Sequence, residues 1–310
     1  MKNLKNAIPA VNKYQGSCLK KTLIYEGRKY LIKKKDPIRH RNKFSTSYSA
    51  SIYSEDIGCK IYKALDIDVQ NTFLCKCLEN GQEISCCACE DFNDPPYRLN
   101  EFKNIYVSEI PSSSNSVTNA YPSIEDIQRI YRTAEPLKNH LEFEQRFWDM
   151  ILVDTLINNR DRNLDNWGFL MHDQNDSLIK LAPVYDCGSS FSAHLSEHSV
   201  AECLKDPYLM SIKELNINFP FLLNNKRVLA FDLFKNPTEG LKDSVLRIVP
   251  KIKDQADYIC KIVENEEELS PERKDFIIAS MKLRYTKILE PCLKRLHKQT
   301  DENLNSRTIK

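Results

Sequence analysis

Glycine is scarce, 7 of 310 residues, and neither Gly-x-Gly-x-x-Gly nor a Walker-type loop occurs, so a phosphate cradle built from several glycines is excluded. Long apolar runs are missing too: nothing approaches the ~20 residues of a membrane-spanning helix. The opening, Met1 to Lys13, is basic but holds only a five-residue weakly apolar stretch, too short for a secretory signal. A soluble, cytoplasmic protein is expected, with release to another cell left open. An even set of spaced cysteines is also lacking. The 11 Cys are odd in number and five crowd into 75 to 89, which reads as reduced thiols rather than a disulfide framework. A strong charge of one sign is absent as well, since the net charge is +2, too balanced for a protein that simply coats nucleic acid or membrane. What is present, 41% hydrophobic and 28% charged residues, suffices for a full core and argues against disorder, and the length suits about two lobes or domains.

The balance hides an asymmetry. Residues 1 to 43 carry 13 Lys/Arg against Glu26 and Asp36, a net +11, so the remainder stands at −9. A solvated basic face and a phosphate-binding lobe both fit. Strand signals dominate this third: Thr22 to Tyr25, a Glu26-Gly27 turn and Lys29 to Lys33 predict a hairpin. Ile57, Ile61, Ala64 and Leu65 recur at helical spacing from Ser54, a candidate N-cap. A second hairpin, Asn71 to Cys89, turns at Asn80-Gly81. A two-residue turn there sets Glu79 opposite Gln82 and Cys75 opposite Cys86. Cys77 then shares their face, while Cys87 and Cys89 point to the other. Five thiols split this way do not close one tetrahedral zinc site, so a metal-free hairpin is expected.

Asp94-Pro95-Pro96 marks a break, and the lobe boundary is placed near Phe92, giving a sheet-rich N-lobe of 1–92 and a mostly helical C-lobe of 93–310. Pro111 to Ser116 reads as a surface loop. Helices are expected over Ser123 to Tyr131, Leu141 to Asn158, Asn225 to Phe234 and Leu241 to Lys251, and from a Ser270-Pro271-Glu272 start to about His297. Phe147 and Trp148 are core by their spacing. His140, His172, His194 and His198 have neither metal-ligand spacing nor a partnered Ser or Cys, so a zinc enzyme or a triad hydrolase gains little support.

The chemistry concentrates in Leu156 to Leu170 and Ile179 to Gly188. An apolar helix enters the charged loop Asn158-Asn159-Arg160-Asp161-Arg162-Asn163-Leu164-Asp165-Asn166, an apolar strand leaves it, and a return strand ends on Asp186. Phosphoryl transfer needs a carboxylate near the acceptor hydroxyl and hard oxygen ligands for Mg²⁺ on the nucleotide phosphates. Asp161 and Asn166, at Asp-x4-Asn spacing, with Asp186 across the hairpin, supply that set. Gly188 is expected to let the loop after Asp186 bend. A lone Asp-x4-Asn is otherwise a turn with an Asx cap; the helix-loop-strand setting and the later acid favour function.

Asn159-Arg160-Asp161-Arg162-x-x-x-Asn166-Trp167-Gly168 followed by Leu181-x-Pro183-x-Tyr185-Asp186 resembles the HipA-like serine/threonine kinase family, including its short CtkA-like members. Gly16 to Thr22 is similar to that family's glycine-poor phosphate loop, Tyr30-Leu31-Ile32-Lys33 to its lysine-bearing strand, and Cys89-Glu90-Asp91-Phe92 to its inter-lobe connection. The resemblance implies a bilobal protein-kinase-like α+β fold and ATP with Mg²⁺ as cofactors. It gives roles in turn: Asp161 as base, Asn166 and Asp186 as metal ligands, Lys33 as phosphate clamp paired to Glu55, Lys20 or Lys21 as a second phosphate contact, and the Glu90 to Phe92 backbone as the adenine contact. It implies a protein Ser/Thr acceptor, self-phosphorylation at Ser17, Thr22, Ser112 to Ser114, Ser189, Ser190 or Ser192, and a HipB-like antitoxin as a partner, in a toxin-antitoxin pair or an effector role. No membrane contact and no direct nucleic-acid contact are expected.

Three departures stand out. The chain starts almost at the phosphate loop, as in the short members; the loop serine of the family has no clear counterpart; and Asp186-Cys187-Gly188 is closer to the Asp-Phe-Gly of ordinary kinases. Two other readings stay open. One is a phosphotransferase acting on antibiotics, sugars or other small molecules, although those usually carry His where Arg160 stands. The other is an inactive kinase scaffold whose basic N-terminal segment binds nucleic acid or a partner, against which the intact Asp161, Asn166 and Asp186 argue.

Overall fold

Two tight turns of like chemistry build the N-terminal sheet. In a computed structural model, which describes residues 1–11, 20–35, 37–38, 47–93, 95–110, 121–135, 137–138, 140–174 and 177–308, Glu26-Gly27 and Asn80-Gly81 all take positive φ. That is the primed turn whose twist matches the flanking strands. The elements in order are β1 (Lys2–Asn3), β2 (Ile8–Ala10), β3 (Lys20–Tyr25), β4 (Arg28–Lys34), the short pair β5 (Pro37–Ile38) and β6 (Ser47–Tyr48), α1 (Ser51–Ala64), β7 (Thr72–Glu79) and β8 (Gln82–Glu90). Six strands form one sheet, ordered β1-β7-β8-β4-β3-β2, antiparallel except where β1 runs parallel to β7. Cys75 pairs with Cys86 and Glu79 with Gln82, the expected register.

Alternation gives this sheet two apolar faces. Leu31, Leu74, Cys87 and Cys89 join the main core with Ile57 and Ile61 of α1; Leu4, Tyr30, Ile32, Cys75, Cys86 and Ala88 form a separate cluster on the opposite face. α1 begins earlier than its apolar spacing suggested. Ser54 is a buried residue of the first turn, not the cap, because the start is fixed by tertiary contact: the Ala50 N–H donates to Ala193 O at 2.9 Å.

The rest follows as β9 (Tyr97–Glu101), α2 (Phe102–Glu109), α3 (Ile124–Thr133), α4 (Leu141–Ile157), β10 (Gly168–His172), β11 (Leu178–Leu181), α5 (Glu197–Lys205), α6 (Pro207–Leu215), β12 (Asn218–Leu223), β13 (Lys226–Leu229), α7 (Ala230–Lys235), α8 (Glu239–Asp254), α9 (Ala256–Glu264), α10 (Pro271–Arg284) and α11 (Glu290–Thr308). The helix expected over Asn225 to Phe234 is instead a strand and a short helix. Asn224 and Asn225 both adopt positive φ and turn β12 back onto β13, an Asn-Asn version of the primed turn. The long C-terminal helix is capped by Ser270, whose Oγ accepts from the Arg273 N–H, and continues through a π turn at Tyr285–Leu289. Pro291 lies just beyond, and the wider turn accommodates its ring and missing N–H. No helix among the described residues is long and apolar enough to cross a membrane.

β10 lies between β11 and β9. A Cβ on Gly168 would stand 2.3 Å from the Asn100 backbone oxygen on β9, and backbone in a sheet has no room to retreat. Gly168→Ala is therefore expected to lower the unfolding free energy by about 1–3 kcal/mol. Urea denaturation measures it, and an unchanged midpoint would contradict this packing.

Candidate active site

Lys33 stands on the α1 face of β4, two residues beyond Leu31 of the core. Its Nζ donates to Glu55 Oε2 and to Asp186 Oδ1, each at 2.8 Å. Glu55 lies on α1 and is fully buried. Burial opposes the ammonium charge, but Asp186 and Glu55 overcome it and hold the Lys33 pKa well above its ordinary value. Lys35, which strand alternation places on the same face as Lys33, lies over the Tyr53 ring at 4.8 Å instead, so of the two it is Lys33 that meets Glu55 and Asp186.

Asp186 reaches this point through an unusual backbone. Its φ is +60°, a left-handed conformation that Asp tolerates better than most residues. Asn159 Nδ2 donates to Asp186 O at 3.3 Å and Arg162 Nη1 to Tyr185 O at 2.5 Å, pinning both sides of the bend. Gly188 has a different task from the one its position suggested. The bend is at Asp186, and Gly188 leaves space, since a Cβ there would approach Glu55 Oε2 to 3.0 Å.

α4 ends where Asn158 takes φ +56°, and the loop beyond is organised by a buried ion pair. Arg162 and Asp154 are both fully buried; Nε donates to Asp154 Oδ2 at 2.7 Å, Nη2 to Oδ1 at 3.2 Å, and Tyr62 Oη adds a bond to Oδ1 at 2.8 Å. Arg162 Nη1 also donates to Asn166 O at 2.7 Å. One guanidinium thus ties together α4, the loop carrying Asp161 and Asn166, and the segment before Asp186. The sequence reading gave Arg162 and Asp154 no role, although an acid inside the apolar run of α4 was a visible signal.

Asp161 is exposed, with Oδ1 accepting from Asn163 Nδ2 at 3.1 Å. Although the residue reaches solvent, the surrounding protein partly desolvates its carboxylate, and that together with the nearby Asp186 carboxylate raises the pKa from the ordinary value. If Asp161 must be ionised to accept a proton, turnover falls as pH drops through that raised value. The acid limb of a pH–rate profile is expected to be shifted up from the ordinary aspartate value, and Asp161→Asn removes that limb. Asn166 Nδ2 donates to Asp161 O at 2.6 Å, which fixes the amide and assigns its oxygen to the other side. The carboxamide oxygen of Asn166 and the Asp186 carboxylate are the hard donors that suit Mg²⁺, which commonly completes its shell with phosphate oxygens and water.

Other expected site residues fall differently. Lys21 lies on the far face of the sheet, because it pairs with Ile32 and β3 alternates, so it is not in the Lys33 cleft. Lys20 pairs with Lys33 in register; its side chain lies outside the described residues, as do Gly16 to Leu19 of the phosphate loop. Glu90 offers little free backbone: its N–H donates to Asn71 O at 2.8 Å and its C=O accepts from Gln70 Nε2 at 2.9 Å. Asp91 N–H donates to Lys29 O, also at 2.8 Å, and the Phe92 ring lies 5.5 Å from that of Tyr185. Three proposed phosphate acceptors are buried: Thr22 is a strand residue, Ser190 is enclosed, and Ser192 Oγ donates to Glu214 at 2.7 Å. Ser189 is exposed, and Ser17 and Ser112 to Ser114 lie outside the described residues.

Comparison with known proteins shows the family and the fold. The family model described as the HipA-like C-terminal domain matches residues 16–256. The serine/threonine-protein kinase CtkA of Helicobacter pylori (strain J99) is 30% identical, the match covering 91% of this chain and 86% of that one. The crystal structure of a H. pylori proinflammatory kinase CtkA superposes with a TM-score of 0.85 at 23% identity, covering 96% of this chain and 98% of that chain. A chain of the Shewanella oneidensis MR-1 toxin-antitoxin complex of HipA, HipB and operator DNA matches with a TM-score of 0.53 at 13% identity, over 92% of this chain and 68% of that one. The chain belongs to the HipA-like C-terminal domain family and has its bilobal, kinase-like α+β fold.

Proposed function

We propose that this family member, a serine/threonine protein kinase by enzyme class, transfers the γ-phosphoryl group of ATP to a protein Ser or Thr hydroxyl. The reaction takes place in the cleft between a nucleotide-binding lobe of residues 1–92 and a catalytic lobe of residues 93–310. The observation that carries the reading is the convergence on Lys33 Nζ of Glu55 and Asp186, 22 and 153 residues away in sequence, each at 2.8 Å. A stability role alone would not call for a cation buried between two acids beside an Asp-x4-Asn loop.

Each residue then has a task. Glu55 holds Lys33 in place, and Lys33 would bind nucleotide phosphate, while Asp186 with Asn166 would hold the metal. Mg²⁺, when bound through Asn166 and Asp186, supplies positive charge on the phosphates. Asp161 accepts the proton of the acceptor hydroxyl, and its raised pKa makes it a better acceptor than an ordinary carboxylate. Arg162 keeps the loop and the Asp186 bend in register so that these groups meet. The acceptor includes the chain's own hydroxyls, with Ser189 the accessible candidate near Asp186 among the described residues. A HipB-like antitoxin is the partner class to test by co-expression, in keeping with the fold neighbour solved with HipB.

The metal assignment has a direct test. Saturating Mg·ATP at about 100 times its dissociation constant stabilises the folded chain by roughly 2.7 kcal/mol, a visible shift in melting temperature. Asp186→Asn is expected to lose most of the Mg²⁺-dependent part of that shift; a variant that keeps all of it would remove Asp186 from the metal site.

A further inference from the structure

The sheet face turned away from α1 carries a second reactive constellation, and it does not depend on phosphoryl transfer. Cys75, Cys77 and Cys86 share that face. Cys75 and Cys77 Sγ lie 3.9 Å apart, and Cys75 is the register partner of Cys86. Cys75 and Cys86 are fully buried, whereas Cys77 is half-buried and lines a cavity of about 400 Å³ with Lys21, Lys34, Leu23, Ile32 and Ile84. Lys34 also pairs with Glu79 at the rim.

A thiol that reacts with a hydroperoxide needs access, a stabilised thiolate and a second sulfur within reach. All three meet here. The Cys75 sulfur 3.9 Å away, with Cys86 on the same face and the charges of Lys21 and Lys34, holds the Cys77 thiol well below its ordinary range; contact with Cys77 and burial push the other two up. The opposite face supplies an internal contrast. Cys87 and Cys89 have the same 3.9 Å spacing but are both sealed under α1. Cys260 is partly exposed, and none of the cysteine contacts of the hairpin reaches it.

We propose that Cys77 is a hydroperoxide-reactive thiol, and that Cys75, whose sulfur lies 3.9 Å away, or Cys86, the register partner of Cys75, supplies the sulfur that resolves it into an intrachain disulfide. In the first step the Cys77 thiolate attacks one peroxide oxygen. The S–O bond forms as the O–O bond breaks, sulfur loses two electrons to the peroxide, and the departing oxygen takes a proton from water and leaves as alcohol or, from hydrogen peroxide, as water. In the second, the sulfur of Cys75 or Cys86 attacks the sulfenic sulfur. The S–S bond forms, the S–O bond breaks, and the hydroxide leaves as water with the proton of the attacking thiol.

The test treats the full chain with equimolar hydrogen peroxide, followed by intact mass and peptide mapping under non-reducing conditions. The expected result is a loss of two hydrogens, mapped to a disulfide joining Cys77 to Cys75 or Cys86. The loss is absent in Cys77→Ser, and Cys75→Ser/Cys86→Ser instead accumulates a sulfenic acid on Cys77 that a cyclic 1,3-dione traps. The wild-type map stands even if a variant folds poorly. An unchanged wild-type mass, or first modification at Cys260, Cys18 or the Cys87–Cys89 pair, would overturn the assignment.

Discussion

Asp161→Asn is expected to lower phosphoryl transfer by about 10²- to 10⁴-fold, the range for loss of a general base, while still binding Mg·ATP. The amide keeps the shape of the side chain but accepts no proton. Lys33, Glu55, Asn166 and Asp186 stay in place, because none of them is held by the Asp161 carboxylate: Asn166 bonds the Asp161 backbone oxygen. Nucleotide should therefore raise the melting temperature of Asp161→Asn as it does for the parent, whereas Asp186→Asn loses both activity and most of the Mg²⁺-dependent shift. The reverse pattern, or parent-rate transfer by either variant, would sink these two assignments.

Arg162→Ala is expected to be the most destabilising single change near the site, by about 3–5 kcal/mol, because it strips a fully buried Asp154 of its counter-charge. The carboxylate would keep the Tyr62 hydroxyl and the Asn159 amide, which donate to Oδ1 at 2.8 and 3.2 Å, but neither supplies charge. The carbonyls of Asn166 and Tyr185 would lose their donor as well. Activity should fall along with stability, since the same guanidinium fixes the Asp161 loop against the Asp186 bend. A cost below about 1 kcal/mol in urea denaturation would mean that water or a rearranged loop takes over, as at an exposed pair.

How much of this was legible beforehand depends on the range of the interactions involved. The hairpin register followed from Asn80-Gly81, because a two-residue turn fixes every pair behind it, and with it the split of the five thiols between faces. Asp186 followed from its place at the end of the return strand, whereas Lys33 and Glu55 came from motif resemblance; alternation puts Lys35 on the same face as Lys33, and only the structure, with Lys33 on Glu55 and Asp186 and Lys35 over Tyr53, separates them. The Asn224-Asn225 turn was missed because Asn-Asn is a weaker hairpin signal than Asn-Gly, and the apolar residues after it have helical spacing. Lys21 was misplaced because adjacent lysines in a strand look alike until register assigns their faces. Asp154 and Arg162 went unread for a different reason: an acid inside an apolar helix signals burial, but its partner is set by the packing of α4 against α1 and the loop, which spacing along the chain does not give.

The most direct test of the central claim is incubation of the chain with Mg²⁺ and γ-labelled ATP, alone and with a protein acceptor, followed by phosphosite mass spectrometry. Labelled phosphate is expected on Ser or Thr hydroxyls of protein, reduced by about 10²-fold or more in Asp161→Asn. Label that appears only on small-molecule acceptors, or equal labelling by parent and Asp161→Asn, would contradict the account.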